Sequence, residues 1–245
     1  MGLGRIGFWY RLAVCIAKPP LVAFTRPTWR GLEHVPRCGG VILAANHISA
    51  MDPFVLGDFV LFGVHRPARY MAKATLFEGD GFVARIMRGA GQIPVHRGST
   101  DASLALRDAV KALQSGELII IYPEGTVSRD PGKWPMRART GVARLALLSG
   151  APVVPVAQWG AQEIHDTYRS KGVHLLPRHP VAVEAGPAVD LSAYAGRQLT
   201  ADVLRDATEA VMMAVRRQVE GLRKELAPTT VHDPASGAGT QTRSA

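Results

Sequence analysis

His47 and Asp52 stand five positions apart in Asn46-His47-Ile48-Ser49-Ala50-Met51-Asp52, directly after the apolar run Val41-Ile42-Leu43-Ala44-Ala45. A neutral imidazole can take a proton from a hydroxyl. A carboxylate on its other nitrogen fixes the tautomer and stabilises the imidazolium that forms. The pair therefore reads as a base and its orienting acid at the end of a strand. The same residues allow a simpler account. Asp52 precedes Pro53, and Asp-Pro commonly opens a helix, with the acid as N-cap and the proline at the first helical position.

A second cluster, Tyr122-Pro123-Glu124-Gly125-Thr126, follows the apolar run Leu118-Ile119-Ile120-Ile121. Ligands of open α/β sheets sit outside the carboxyl ends of strands. Glu124 at such a place can accept hydrogen bonds from a polyol, or from a backbone amide that it orients. Gly125 lets backbone approach a ligand closely. A tight turn with a capping acid would use the same residues. Arg97 ends a third run, Gly91-Gln92-Ile93-Pro94-Val95-His96-Arg97, where a guanidinium suits bidentate contact with phosphate. Pro155, inside Val153-Val154-Pro155-Val156, places that strand at an edge or a bulge.

These groups need a scaffold that brings strand ends together. The 245 residues suffice for one substantial core, since up to ~250 residues commonly form a single domain. Strands are expected at Val41–Ala45, Gln92–Val95, Leu118–Tyr122, Val153–Ala157 and Val181–Glu184, with another at 68–72. Between them run helical patterns, the alternation of an α/β domain. Asp101 caps a helix with Leu106, Val110 and Leu113 on its inner face, and Gly116 stops it. Another helix spans Gly141 to Ser149. Thr200 caps the last one, whose buried stripe is Val203, Ala207, Val211, Val215, Leu222 and Leu226. Three parts result: an N-terminal amphipathic element (1–35), a catalytic domain (36–226) and a disordered tail (227–245) rich in Pro, Thr, Ser, Gly and Ala.

The net charge of +9 favours an anionic partner. Arg5, Arg11, Lys18, Arg26 and Arg30 all precede the first acid, Glu33, interleaved with Phe8, Trp9, Tyr10, Leu12, Ile16 and Phe24. Such mixing suits an element lying on an anionic membrane surface; a plain core-packing helix is the alternative. No run reaches the ~18 uninterrupted apolar residues of a spanning helix, and Arg11, Lys18 and Pro19-Pro20 break the best one. Nor does this stretch read as a secretory signal, because a charge splits it and no small-residue cleavage site follows. Cys15 and Cys38 are too few for a disulfide scaffold, fit a reduced setting and lie near no metal-ligand pattern. A nucleic-acid binder would group aromatics with basic residues on a strand, which this chain does not do. A serine hydrolase would need a Gly-x-Ser-x-Gly elbow, and none is present.

In one fixed order the chain carries Asn-His-x-Ser-x-x-Asp with His47 and Asp52, Arg97 after Gly-Gln-Ile-Pro-Val, Glu124-Gly125-Thr126, and Val153 with Pro155. From about Gly31 to Pro187 it resembles the glycerolipid acyltransferase superfamily, in particular bacterial 1-acylglycerol-3-phosphate acyltransferases. The resemblance implies that His47 is the general base and Asp52 orients it. A free hydroxyl of lysophosphatidic acid would attack the thioester of acyl-CoA or acyl carrier protein, without an acyl-enzyme and without a cofactor or metal. Arg97, Glu124, Gly125 and Thr126 would bind the phosphate-bearing acceptor, with Lys73 and Arg139 as further cations. Amides at the start of the helix after His47 would meet the oxyanion. Two positions depart from the family's pattern: Val127 stands where an arginine is common, and His96 where an acid is common. Both flank the acceptor loops, so another lysophospholipid or a glycolipid is the alternative acceptor, and a non-catalytic lipid-binding protein on the same fold is the other alternative. The expected fold is one α/β domain with a mixed, largely parallel sheet flanked by helices. The expected place is the cytoplasmic face of the cell membrane, peripheral or monotopic.

Overall fold

The computed structural model describes residues 6–96, 102–169 and 172–233. Short apolar runs form the middle of a seven-stranded sheet: β1 (Thr25–Arg30), β2 (Val41–Ala45), β3 (Ala68–Lys73), β4 (Ile93–Val95), β5 (Leu118–Ile121), β6 (Val153–Trp159) and β7 (His179–Ala185). Their order is β1-β7-β6-β2-β5-β3-β4. β4, β3, β5, β2 and β6 are mutually parallel, whereas β7 runs antiparallel to β6 and carries β1 parallel to itself. The mixed, largely parallel sheet matches the expected fold.

Around it lie α1 (Phe8–Phe24), α2 (Asp52–Asp58), α3 (Phe82–Gly89), α4 (Ala102–Gln114), α5 (Gly141–Ser149), α6 (Ala161–Ile164) and α7 (Ala201–Arg223). Alternate residues of β2 point to opposite layers, as a strand's two-residue period requires. Val41, Leu43 and Ala45 meet Phe59 and Val60 beyond α2. Ile42 and Ala44 meet Val142, Leu145, Val211 and Val215 of α5 and α7. Both faces are covered, so β2 is buried along its whole length and shows no polar alternation. Thr200 caps α7 by accepting a hydrogen bond from the Val203 amide.

Several expectations are corrected here. Residues 1–35 do not form one helical element: α1 stops at Phe24, and 25–30 join the sheet beside β7. Pro155 lies in an interior strand rather than at an edge. It escapes conflict because β6 pairs with β7 only from Val156 onward. Before that point β6 faces the loop at Gly186 and Val189, whose amides donate to the carbonyls of Pro155 and Val153. Leu226 lies past the end of α7 and is exposed. Residues 227–233 fold back onto the body, where His232 O accepts from the Arg137 amide and Asp233 pairs with the Arg137 guanidinium. The expected cap Asp101 and the remainder of the tail, 234–245, lie outside the described residues.

Candidate active site

The carboxyl ends of β2, β5, β3 and β4 stand side by side, and the loops leaving them converge. After β2 the chain turns sharply, and the Asp52 carboxylate closes that turn. Its Oδ2 accepts from the amides of Ile48 (2.5 Å) and Ser49 (2.8 Å) and lies 2.8 Å from His47 Nδ1. Asp52 is fully buried, and His47 keeps only part of its side chain exposed. Imidazole geometry then turns Nε2 away from Asp52, and His47 is one of the residues lining a large cavity. The sequence alternative, Asp52 as an N-cap, is corrected. Met51 occupies the cap position and Asp52 is the first helical residue, its side chain turned back onto the preceding loop.

Asn46 anchors the start of this loop. Its Oδ1 accepts from Gln158 N at 2.8 Å, its Nδ2 donates to Gln158 O at 3.1 Å, and its carbonyl accepts from Gln158 Nε2 at 2.7 Å. β2 and β6 are thereby clamped immediately before the base. From the β5 side, Glu124 reaches across: Oε1 accepts from the His47 amide at 3.0 Å and Oε2 from the Met136 amide at 2.9 Å. Burial pushes the Glu124 carboxyl up to about 8, against the two amides, which favour its charged form. The Ser128 amide donates to the His47 carbonyl at 2.6 Å. The His47 peptide groups are thus held on both sides, the amide by the Glu124 carboxylate and the carbonyl by the Ser128 amide.

The cavity measures about 1260 Å3, larger than the ~1000 Å3 at which clefts for drug-sized ligands end. Its apolar walls include Val14, Leu21, Leu61, Phe62, Val83 and Leu106. Cations gather on the β3 and α5 side, where Lys73, Arg139 and Arg144 face the space, with His96 nearby. Lys18 of α1 also faces it, paired with Asp58 at 2.6 Å and lying 4.2 Å above the Phe62 ring. A base at the mouth of an apolar space with a cationic flank can deprotonate a hydroxyl on a ligand that has both a chain and an anion.

A family model described as acyltransferase matches residues 26–159, more than half of the chain. The chain belongs to the acyltransferase family. It is 29% identical over 180 residues to the 1-acyl-sn-glycerol-3-phosphate acyltransferase of Borreliella burgdorferi, covering 72% of this chain and 67% of that one. Its likeness to the enzyme of the same name in Bacillus subtilis is 25% identity over 150 residues, covering 61% and 70%. The crystal structure of the 1-acyl-sn-glycerophosphate acyltransferase PlsC from Thermotoga maritima shares the fold, with a TM-score of 0.64 at 24% identity over 89% of this chain and 81% of that one.

Of the residues that resemblance to this acyltransferase family had singled out, His47, Asp52, Glu124 and Gly125 come together, and Lys73 and Arg139 face the same cavity. Arg97 lies outside the described residues. Two of the expected binding residues stand off the cavity. Glu124 is not a lining residue; both its oxygens accept from backbone amides, those of His47 and Met136, and so brace the site. Thr126 also lies off the cavity, with its hydroxyl 3.4 Å from that of Tyr168. The helix-start amides expected to meet an oxyanion are engaged as well. Those of Ile48 and Ser49 go to Asp52, that of Ala50 to Thr167 Oγ1, and that of Met51 to Ser49 Oγ. Sequence reasoning missed Arg144, Lys18 and the Asn46–Gln158 clamp. Arg144 had a signal, standing in the first turn of α5, shortly after Arg139 in the loop that leads into it; the other two depend on distant partners.

Proposed function

We propose that this chain acylates 1-acylglycerol-3-phosphate, producing phosphatidic acid for phospholipid synthesis. The observation that carries the reading is the His47–Asp52 pair, 2.8 Å apart, beside a cavity with apolar walls and cations on one flank. His47 Nε2 takes the proton of the acceptor's free hydroxyl as its oxygen attacks the thioester carbonyl of the acyl donor. The ester C–O bond forms, the C–S bond breaks, and the proton passes from the imidazolium to the leaving thiolate. Asp52 holds the imidazole in one tautomer and stabilises its charged form. Lys73, Arg139 and Arg144 hold the phosphate. Acyl-CoA and acyl carrier protein are both suitable donors, since each is an anionic thioester. The names of the curated relatives support this acceptor.

The protein works at the cytoplasmic face of the membrane without crossing it. Among the described residues no helix is long and apolar enough to span a bilayer. Phe8, Ile16 and Val22 of α1 are exposed, while Tyr10, Val14 and Leu21 of the same helix face the cavity. A helix apolar on two sides suits an anionic lipid surface outside and an acyl chain inside.

The test is the purified protein with a panel of acyl thioesters and lysolipid acceptors, products being resolved by mass spectrometry. Phosphatidic acid should form and should vanish with His47→Ala. Transfer only to a glycolipid or to another lysophospholipid would move the acceptor to the alternative. Normal turnover by His47→Ala would overturn the mechanism.

A further inference from the structure

Tyr122 is the first residue after β5. Its ring lies face to face with the imidazole of His47, centroids 4.2 Å apart and planes 18° from parallel. Near-parallel rings at that separation attract through their faces, and a cationic partner strengthens the contact. The phenol also has a buried side. Its hydroxyl is buried beside the Gln158 side chain, and Gln158 is clamped to Asn46, the residue before His47. Burial raises the Tyr122 phenol well above its ordinary range, so it stays neutral.

The Asp52 contact leaves one freedom to the imidazole. A hydrogen bond at Nδ1 tolerates bending, so χ1 and χ2 of His47 can still change together and swing the ring plane over a small range. Such a swing displaces Nε2, the atom facing the cavity. Proton transfer needs Nε2 within about 2.6–3.2 Å of the hydroxyl, and an error of about 1 Å can cost ~100-fold in rate. A flat surface against one face of the imidazole stops the swing without touching either nitrogen. We infer that Tyr122 is a positioning residue for His47, its stacked ring fixing the plane of the base and supporting the imidazolium formed during transfer. This inference rests on the proposed reaction but concerns a different residue and a different property, ring orientation.

The experiment compares Tyr122→Phe, which keeps the stacked ring, with Tyr122→Leu and the more flexible Tyr122→Met, which remove it. Wild-type transfer to 1-acylglycerol-3-phosphate is measured first; its absence would sink the reaction and not the stacking. Given that transfer, Tyr122→Phe should keep kcat within about twofold. Tyr122→Leu and Tyr122→Met should lose about tenfold or more in kcat, with KM for acceptor and donor within about twofold. A rise in KM at unchanged kcat would make Tyr122 a lining residue only and overturn the inference. So would a Tyr122→Phe variant as slow as Tyr122→Leu, since the hydroxyl and not the ring would then matter. A readout independent of turnover is the proton spectrum of the His47 ring, assigned with His47→Gln. The upfield shift caused by the phenol face should persist in Tyr122→Phe and disappear in Tyr122→Leu or Tyr122→Met. Ring protons unshifted in the wild type would overturn the inference even if the leucine variant fails to fold.

Discussion

The amide of His47 donates to the carboxylate of Glu124 across 77 positions of sequence, at 3.0 Å. The base is therefore held by its backbone from β5 and by its ring from Asp52, and the two restraints can be broken separately.

Glu124→Ala should damage the protein twice. It leaves the His47 and Met136 amides without their shared acceptor, and each buried donor left unpaired costs about 1–3 kcal/mol. Denaturant melts should show a loss of about 2–5 kcal/mol. Residual turnover of the folded fraction should fall with acceptor KM little changed, because the residue does not reach the cavity. A variant that kept its stability and lost only acceptor affinity would favour direct contact of Glu124 with the acceptor.

Glu124 also sets a dependence of stability on pH. Its folded carboxyl titrates at about 8 against an ordinary 4.5. Below the ordinary value both folded and unfolded chains carry the proton, and the contribution of the neutral group is fully present. Between about pH 4.5 and 8 only the unfolded chain releases it, so this contribution is lost as pH rises, at no more than about 1.4 kcal/mol per pH unit. Above about 8 it changes no further. Melting curves of wild type and Glu124→Gln over this window should differ in slope by up to one proton. Parallel curves would contradict it.

Asp52→Asn should lower kcat by at least about 100-fold with acceptor KM nearly unchanged. The amide still offers an oxygen to Ile48 and Ser49 but no longer favours the imidazolium. Single-turnover rates under saturating substrate measure this. A loss below tenfold would assign Asp52 to the turn alone.

The cationic flank is tested by Arg139→Ala and Lys73→Ala. Each removes a positive group from the cavity wall, and each should raise acceptor KM by about tenfold, near 1.4 kcal/mol, with kcat largely kept. A neutral lysolipid should be insensitive to both changes. Equal effects on charged and neutral acceptors would refute the phosphate assignment.

A last prediction concerns stability far from the base. Arg223, at the end of α7, lies between the Trp134 and Trp159 rings at 3.9 and 4.2 Å and donates to Gly132 O at 2.8 Å. This clasp holds the loop that supplies the Met136 amide to Glu124. Arg223→Ala should cost about 2 kcal/mol, the sum of modest cation–π and hydrogen-bond contributions. Arg223→Lys should recover part of it, since an ammonium cannot stack flat between two indoles.

The central strands were legible because they are buried on both faces, which leaves uninterrupted runs such as Val41-Ile42-Leu43-Ala44-Ala45. β1 was not. Thr-Arg-Pro-Thr-Trp-Arg lies at the sheet's edge with four of its residues exposed, so burial imposes no pattern on it. That matters in practice: removing 1–30 would strip a strand from the sheet, whereas vesicle binding by α1 is tested with a truncation ending at Phe24. His47 and Asp52 could be paired from sequence because they are near neighbours. The stacking of Tyr122 on His47 and the two-way bridge of Glu124 could not, since strand order decides them and local spacing carries no record of it. Motif residues thus located the site, while the division between residues that touch a ligand and residues that hold others in place required coordinates.

The engaged amides of residues 48–51 have a wider consequence. A loop whose amide donors are all engaged gains no hydrogen bond to them by rearranging when a ligand arrives, so the proton acceptor is set before binding begins. It also has no donor to lend to the negative oxygen that develops on the acyl carbon. Under the proposed chemistry the β2 wall handles the proton, and the opposite wall, built from the β5 loop and the start of α5, must handle the charge. Substitutions on the two walls should then be separable kinetically, and an acyl analogue carrying a fixed negative oxygen should still bind when His47 is gone.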